Sequence, residues 1–547
     1  MAKATLFTEE IIQKNTSQGI WEPTTLSDLY DNDARKYPNR EALVDSVHRL
    51  TWSQANQWIN RLALGFLELG FKRDEMVVIQ LPNVAEVPLI RVACEKAGLL
   101  CLQSLRTYRH AEMGHILKSL DAVGVVIPRE YRGFDHFKMV QELRSSLPKL
   151  KHIFVVGDDV PPGAISLRKM VERPIEKEIP VAKLQKTKMP STEFSLVVHT
   201  TGTTGMPKFV EYPICTRIHN WTVNAKLINL TKDDIFAVIG PAPGGPNFPA
   251  YIGAPLTGAK IAMLEKFDAE EALKLIEKEK VTIVCAVPAQ LAMMVQHPNR
   301  DKYSYKSVRY WWCTSAALDP GIGREIEERM GAKVVICLGA SDWGGECVTH
   351  PDLPADLRLT TCGKPHDGTE VRLVDDDGKD VLPGAVGEII SRSPSGVSGY
   401  YKDPEATRQA WEGGWYHLGD LGKLDGHGNL QIVGRKKDMI IRGGQNIYPI
   451  EIETMLLTNP KVQDAAVVAM PDVIMGEKAC AFVVPKKGQT FTFDEMVSYL
   501  KEKGFAAFKL PERLEIIEVM PLAGEQKTDK KLLRQRVADK LKAEGKK

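Results

Sequence analysis

Phe194-Ser195-Leu196-Val197-Val198-His199-Thr200-Thr201-Gly202-Thr203-Thr204-Gly205-Met206-Pro207-Lys208 is the stretch that decides the fold. Its first six residues read as a buried strand, and the Thr/Gly string reads as the loop into which that strand runs. Gly202 and Gly205 permit a tight bend and let the backbone approach a ligand with no Cβ in the way. Four threonine hydroxyls and the loop N–H groups offer donors suited to phosphate oxygens, and Lys208 adds a positive charge. The string is not a Walker A loop, which ends in Gly-Lys-Ser/Thr; here Pro207 precedes Lys208 and Phe209 follows it. Taken alone, a Thr/Gly hexamer also describes a flexible surface turn. The strand leading into it makes it a candidate binding loop.

Outward from this loop, 547 residues are too many for one ordinary domain and ample for a large core. A balance of 43% hydrophobic and 26% charged residues is that of a soluble globular protein. The net charge of +2 gives no electrostatic footprint for nucleic acid or an anionic membrane. Nine cysteines stand singly with no Cys-x-x-Cys pair, which predicts reduced core thiols in a cytoplasmic protein. Residues 1–10 lack the apolar core of a signal peptide, and no apolar run approaches the ~18 residues of a membrane span.

The hydrophobic periods alternate along the chain. Thr51-Trp52-Ser53-Gln54 forms a capping box at the start of an amphipathic helix through Trp58, Leu62, Phe66 and Leu69, which Gly70 can close. A β-rich run at 76–81 leads to a helical stretch at 84–97, and a run at 123–127 leads to another over 134–147. Such βα units predict parallel sheets covered by helices. Pro161-Pro162-Gly163 and the polar 172–192 segment read as surface connections.

The loop at 200–208 resembles the phosphate-binding loop of the adenylate-forming superfamily: acyl- and aryl-CoA synthetases, peptide-synthetase adenylation domains and firefly luciferase. Further motifs of that family follow in its order over nearly the whole chain. The resemblance implies an α/β fold, with a large N-terminal AMP-binding domain of helix-covered β-sheets over 1–435 and a small mobile α+β domain over 436–547. It implies that Thr200, Thr201, Gly202, Thr203, Thr204, Gly205 and Lys208 hold the phosphates of ATP. The strand at 236–240 opens onto a Pro/Gly-rich loop where Asn247 and Phe248 fall on the acid pocket. Aryl-acid-activating members carry an asparagine at the Asn247 position, whereas amino-acid-activating members carry an aspartate that holds the ammonium group. The acid implied is therefore one without an α-amine. Ser315, Ala316 and Ala317 match the small-residue turn that borders adenine and acid.

Leu338-Gly339-Ala340-Ser341-Asp342 stands where the family reads Tyr-Gly-x-Thr-Glu. Ser341 keeps the hydroxyl that meets the α-phosphate. Asp342 keeps the hard oxygen ligand that Mg2+ requires, one methylene shorter; without the resemblance it also fits a helix N-cap. Leu338 leaves an apolar surface beside adenine, with Gly339 and Ala340 at the acid. Gly399-Tyr400-Tyr401 matches a structural motif with no chemistry assigned to it. Asp420, in Trp415-Tyr416-His417-Leu418-Gly419-Asp420, is implied to accept both ribose hydroxyls. A hairpin turning at Asp425-Gly426-His427-Gly428-Asn429 returns through Val433 to Arg435, implied at ribose or phosphate, with Lys437 as the hinge. Gly443 and Gly444 match a turn that faces the active site in the thioester-forming state. Pro521 and Lys527 keep the spacing of the terminal motif and its catalytic lysine, although Ala523 and Gln526 replace the usual threonine and glycine.

Three functions stay open at this point. The first is an AMP-forming ligase that joins an aromatic or cyclic carboxylic acid to coenzyme A, in either direction, using ATP and Mg2+. The second is a stand-alone aryl-acid AMP ligase that loads a separate carrier protein. The third, suggested by Asp342, Ala523 and Gln526, is a nucleotide-binding protein that has lost catalysis. A homodimer is compatible with all three.

Overall fold

The computed structural model describes residues 3–200, 208–240, 243, 245–523 and 527–544, with Lys527 described by its backbone alone. One sheet of nine strands runs in the order Lys364–Pro365, Glu346–Val348, Lys333–Gly339, Tyr310–Thr314, Ile283–Ala286, Ile235–Val238, Lys260–Met263, Glu41–Val44, Arg49–Thr51. From Lys333–Gly339 to Glu41–Val44 the pairs are parallel, and the flanking pairs are antiparallel. A second sheet runs Phe209–Pro213, Phe194–His199, Leu100–Gln103, Met76–Ile79, Gly124–Pro128, His152–Val156, Ile165–Ser166, with only its Phe209–Pro213 edge antiparallel.

Both faces of these sheets are covered. In Met76–Ile79 alternate residues divide between two cores, Val77 and Ile79 into one, Met76 and Val78 into the other. In Ile235–Val238, Phe236 and Val238 join the first of those cores, while Ala237 enters a third. Strands buried on both sides read as continuous apolar runs, which is how these runs look in the sequence. The helices Trp52–Glu68 and Glu86–Ala97 contribute side chains to the core that both sheets share. The first begins with the expected Thr51/Gln54 capping box. Every residue of the second is buried.

A four-stranded antiparallel sheet follows: Glu370–Val374, Gly387–Arg392, Tyr416–Leu424 and Leu430–Arg435. The single turn Lys436–Asp438 then leads to a sheet in the order Gln445–Ile447, Ile440–Arg442, Gly476–Pro485, Val462–Asp472, with Arg513–Ile516 beside Gly476–Pro485. Residues of Pro449–Leu457 and Phe493–Glu502 cover one face of this sheet and Leu533 and Val537 of Lys530–Ala543 cover the other. The expected α/β architecture with a small α+β part is what the chain builds.

Two local expectations change. The segment 172–192 carries three short helical turns, pinned by buried Ile175 and Leu184. The helix read over 134–147 is His136–Leu143, because Phe134–Asp135 pairs back on Glu130–Tyr131 and Asp135 caps the helix. All nine cysteines are unpaired and only Cys362 is less than fully buried. Burial pushes the Cys215, Cys362 and Cys480 thiols up to about 12. Among the described residues no helix is long and apolar enough to cross a membrane.

Candidate active site

The neck of the Thr/Gly loop is closed by its own backbone. Thr200 N donates to Lys208 O (2.9 Å), and Lys208 N donates to Thr200 Oγ1 (3.2 Å), directly above the paired residues His199 and Phe209. Thr201, Gly202, Thr203, Thr204 and Gly205 lie outside the described residues. Lys208 is exposed, and its Nζ stands 4.7 Å over the ring of Tyr400.

Tyr400 reaches this neck because the chain at 398–401 pairs along Phe209–Pro213: Glu211 N donates to Gly399 O (3.0 Å) and Tyr401 N to Phe209 O (2.7 Å). Gly399 makes the approach possible, with φ +119° and a position where a Cβ would lie 2.9 Å from Thr407 Cγ2. On its other side Tyr400 Oη donates to Asp342 Oδ2 at 2.8 Å. Burial, followed by the negative charge of Asp342, holds the Tyr400 and Tyr416 phenols well above their ordinary range. The motif expected to carry no chemistry therefore supplies a phenol that touches both the loop lysine and the candidate metal ligand.

Asp342 is not a helix N-cap. It lies in the turn between Lys333–Gly339 and Glu346–Val348, where Trp343 N and Gly344 N donate back to Ala340 O (3.2 and 3.3 Å). Tyr212 Oη donates to Ser341 O (2.5 Å), and the Tyr212 ring lies 5.6 Å from that of Phe248. Gly339 pairs with Glu346 across the two strands. Leu338 packs partly buried in the cluster containing Trp343, Cys347 and Tyr416. The Asp342 carboxylate is a hard oxygen donor of the kind that suits Mg2+ completed by water and phosphate oxygens.

Phe248 is partly exposed, whereas Asn247 is wholly buried. The Asn247 amide donates to Gly240 O (3.3 Å) and Asn83 Oδ1 (3.4 Å), and Asn83 Nδ2 itself donates to Gly240 O (2.6 Å). These bonds tie the end of Ile235–Val238 to the loop after Met76–Ile79, so the carboxyl ends of strands from both sheets meet here. Ligands in open α/β sheets bind at such strand ends. Ser315, with Ala316 and Ala317 beside it, is exposed at the end of Tyr310–Thr314. Its φ of +77° is uncommon for serine and is the kind of outlier that accompanies functional turns.

Asp420 and Arg435 face each other on neighbouring antiparallel strands, and Arg435 Nε stands 2.9 Å from Asp420 Oδ1. Val433 is buried in the same strand as Arg435. A cleft of about 370 Å3 opens beside them, lined by Leu418, Gly419, Arg435, Lys436 and Lys437. Burial, then the charge of Arg435, keeps the Lys437 ammonium below its usual range. Gly443 and Gly444 form the two-residue turn between Ile440–Arg442 and Gln445–Ile447, with φ +54° and +82°. Lys527 belongs to a two-residue strand in which it pairs with Ala523; its side chain lies outside the described residues.

The structure thus joins Thr200, Lys208, Ser341, Asp342 and Phe248 through Tyr400 and Tyr212, while Asp420 pairs with Arg435. Sequence reasoning missed these two tyrosines, Tyr416, and the buried arginines Arg91 and Arg217. For Arg91 a signal was present, a cation set among Leu89, Ile90, Val92 and Ala93. Tyr400 and Asp342 are 58 positions apart, and no local pattern announces their meeting.

The model of the AMP-binding enzyme family matches residues 30–401, and that of the AMP-binding enzyme C-terminal domain matches 451–527. The chain is 31% identical to a 2-hydroxy-7-methoxy-5-methyl-1-naphthoate–CoA ligase of Streptomyces carzinostaticus, over 96% of this chain and 95% of that one. It is 29% identical to a 2,3-dihydroxybenzoate-AMP ligase of Bacillus subtilis, over 98% of both chains. The crystal structure of the anthranilate CoA ligase AuaEII in complex with anthranoyl-AMP superposes with a TM-score of 0.84 over 96% of this chain and 98% of that one. At 23% identity that likeness concerns the fold.

Proposed function

The chain belongs to the AMP-binding enzyme family, and from that premise we propose that it joins an aromatic or cyclic carboxylic acid to coenzyme A through an acyl-adenylate. The observation that carries this reading is the bracket of Lys208, Tyr400 and Asp342, which sets a cation and a carboxylate on one phenol beside the aromatic wall of Phe248 and Tyr212.

The chemistry brings two anions together, so positioning and positive charge do the catalytic work. Thr200, Thr201, Gly202, Thr203, Thr204, Gly205 and Lys208 hold the β- and γ-phosphates of ATP. Asp420 holds the ribose, with Arg435 orienting it, and Ser315, Ala316 and Ala317 border the adenine. Asp342 would hold Mg2+, which when bound neutralises charge on the phosphate oxygens, and the Ser341 hydroxyl meets the α-phosphate. The acid is already ionised at neutral pH and needs no general base. Its oxygen attacks the α-phosphorus while the Lys527 ammonium meets both anions, and pyrophosphate leaves. The small domain, over 436–547, then turns about Lys437 and presents Gly443 and Gly444. The thiol of coenzyme A attacks the acyl carbon, and AMP leaves.

A panel of aromatic, cyclic and linear acids, each with ATP, Mg2+ and coenzyme A and read by mass spectrometry, tests this. The expected products are AMP and the thioester of a ring acid. Release of ADP, or turnover of linear acids alone, overturns the reading. A second reading, transfer of the acyl group to a carrier protein after adenylation, is favoured by the likeness to a relative named as an AMP ligase. Product on added carrier protein with none on coenzyme A would select that alternative.

A further inference from the structure

The helix Glu86–Ala97 carries four charged side chains, all of them buried. Two are matched: Ser27 N donates to Glu95 Oε1 (2.7 Å), and Lys96 Nζ reaches Asp31 Oδ1 (2.6 Å). Glu86, whose Oε2 has no hydrogen-bond partner among the described residues, lies in the field of His48. Arg91, 6% exposed, has no such match: among the described residues no Asp or Glu stands within ion-pair distance of it. Its guanidinium lies 5.5 Å from the ring centre of Phe248 and 5.5 Å from that of Tyr251.

The polar atoms around it are unmatched as well. Among the described residues Arg91 Nε, Tyr251 Oη and Tyr30 Oη are all buried without a hydrogen-bond partner, and the charge of Arg91 acts on both phenols. Asp33, the acidic group beside Tyr30, is buried with its carboxyl pushed up to about 7, so it supplies little negative charge below neutrality. Arg217, the other buried cation nearby, lies 5.0 Å from the Tyr212 ring but donates to Gly344 O at 2.9 Å and has Glu346 in its field. Two aromatic faces return less than the burial of an unpaired cation costs. Arg91 is also linked to the candidate site through aromatic rings. From the turn holding Ser341 and Asp342, Tyr212 leads to Phe248, and Phe248 to Arg91.

We propose that Arg91, with the Tyr251 phenol, receives a second carboxylate carried by the substrate on the part of its ring away from the reacting carboxylate, so that the preferred acid is an aromatic or cyclic dicarboxylate. A guanidinium fork matches a carboxylate in two parallel hydrogen bonds, which explains an arginine where an apolar residue would pack more easily. This rests on the ligase reading above, with Phe248 as a wall of the acid pocket.

The test measures acid-dependent exchange of pyrophosphate into ATP with benzoate, benzene-1,3-dicarboxylate and benzene-1,4-dicarboxylate. Wild-type enzyme should favour one dicarboxylate over benzoate by at least about tenfold in kcat/KM. Arg91→Met should remove that preference by lowering kcat/KM for the dicarboxylate alone, and Arg91→Lys should fall between. Thermal unfolding of both variants reports whether they fold, and the wild-type comparison decides even where they do not. Wild-type preference for benzoate, or an equal loss on all acids in folded Arg91→Met, overturns the subsite and leaves the ligase reading standing. Absence of exchange with every acid here and in the wider panel sinks both.

Discussion

Asp342 is one methylene shorter than the glutamate that its motif usually carries, and its position is secured from outside. The Tyr400 hydroxyl donates to it while the same ring lies under Lys208. A hydrogen bond to a charged group contributes about 1.5–3 kcal/mol. Tyr400→Phe is therefore expected to raise the Mg2+ concentration for half-maximal pyrophosphate exchange about tenfold, with a smaller change in kcat at saturating metal. Binding of Mn2+ with a nucleotide, followed by its paramagnetic resonance, should weaken in parallel; unchanged metal dependence would make Tyr400 a packing residue only. A second residue-scale prediction concerns pH. His136 is buried, with Nδ1 3.2 Å from Gln80 Oε1 and Nε2 without a hydrogen-bond partner among the described residues. Burial, then Arg109, lowers its pKa to about 4. The unfolded chain, with a histidine near 6.5, binds more protons than the native one between about pH 4 and 6.5, so stability contributed here is lost as pH falls through that window. Thermal midpoints of His136→Gln should decline less on acidification than those of wild type. Neither residue was legible in the sequence, because both acquire their environment from partners 58 and 56 positions away.

At the scale of elements the sequence was far more readable. The strand read at 194–199 is Phe194–His199, the capping box opens its helix at Thr51, and the hairpin turns at 425–429. Each is set by neighbours within a few positions, and that is the range over which periodicity and turn chemistry act. Boundaries drifted where tertiary contacts intervened, as when Phe134–Asp135 joined a hairpin and shortened the following helix. The turn at Gly443 and Gly444 gives a prediction at this scale. Both have positive φ, as the two-residue hairpin that they close requires. A Cβ at Gly443 would lie 2.6 Å from Met475 Cε, whereas one at Gly444 meets nothing within 4 Å. Gly444→Ala should cost about 1 kcal/mol from the left-handed backbone, and Gly443→Ala should cost more because Met475 must move. Denaturant midpoints of the two variants compared side by side check the order.

Over the whole molecule, Asp420 and Arg435 sit on the last strand pair before the Lys436–Asp438 turn, and Lys527 lies beyond it with Gly443 and Gly444. The order of motifs along the chain made the family and the fold legible, while the identity of the acid was not, since the side chains gathered near Phe248 come from separate strands and helices. If the domain over 436–547 alternates between two placements, Lys527→Ala should abolish adenylate formation and leave thiolysis of supplied acyl-AMP largely intact. Stopped-flow or quenched assays of each half-reaction measure this, and equal loss of both would refute the division of labour. The sealed cysteines described above provide a way to watch such a movement. Reactive dyes attack the thiolate, and the burial that holds these sulfurs protonated also shields them from reagent. A cysteine introduced at Ile474, 89% exposed on the small lobe, would then take up a fluorophore almost by itself. With a second label on the large lobe, energy transfer between the two dyes would follow each swing through the catalytic cycle with no need to strip the native sulfurs first.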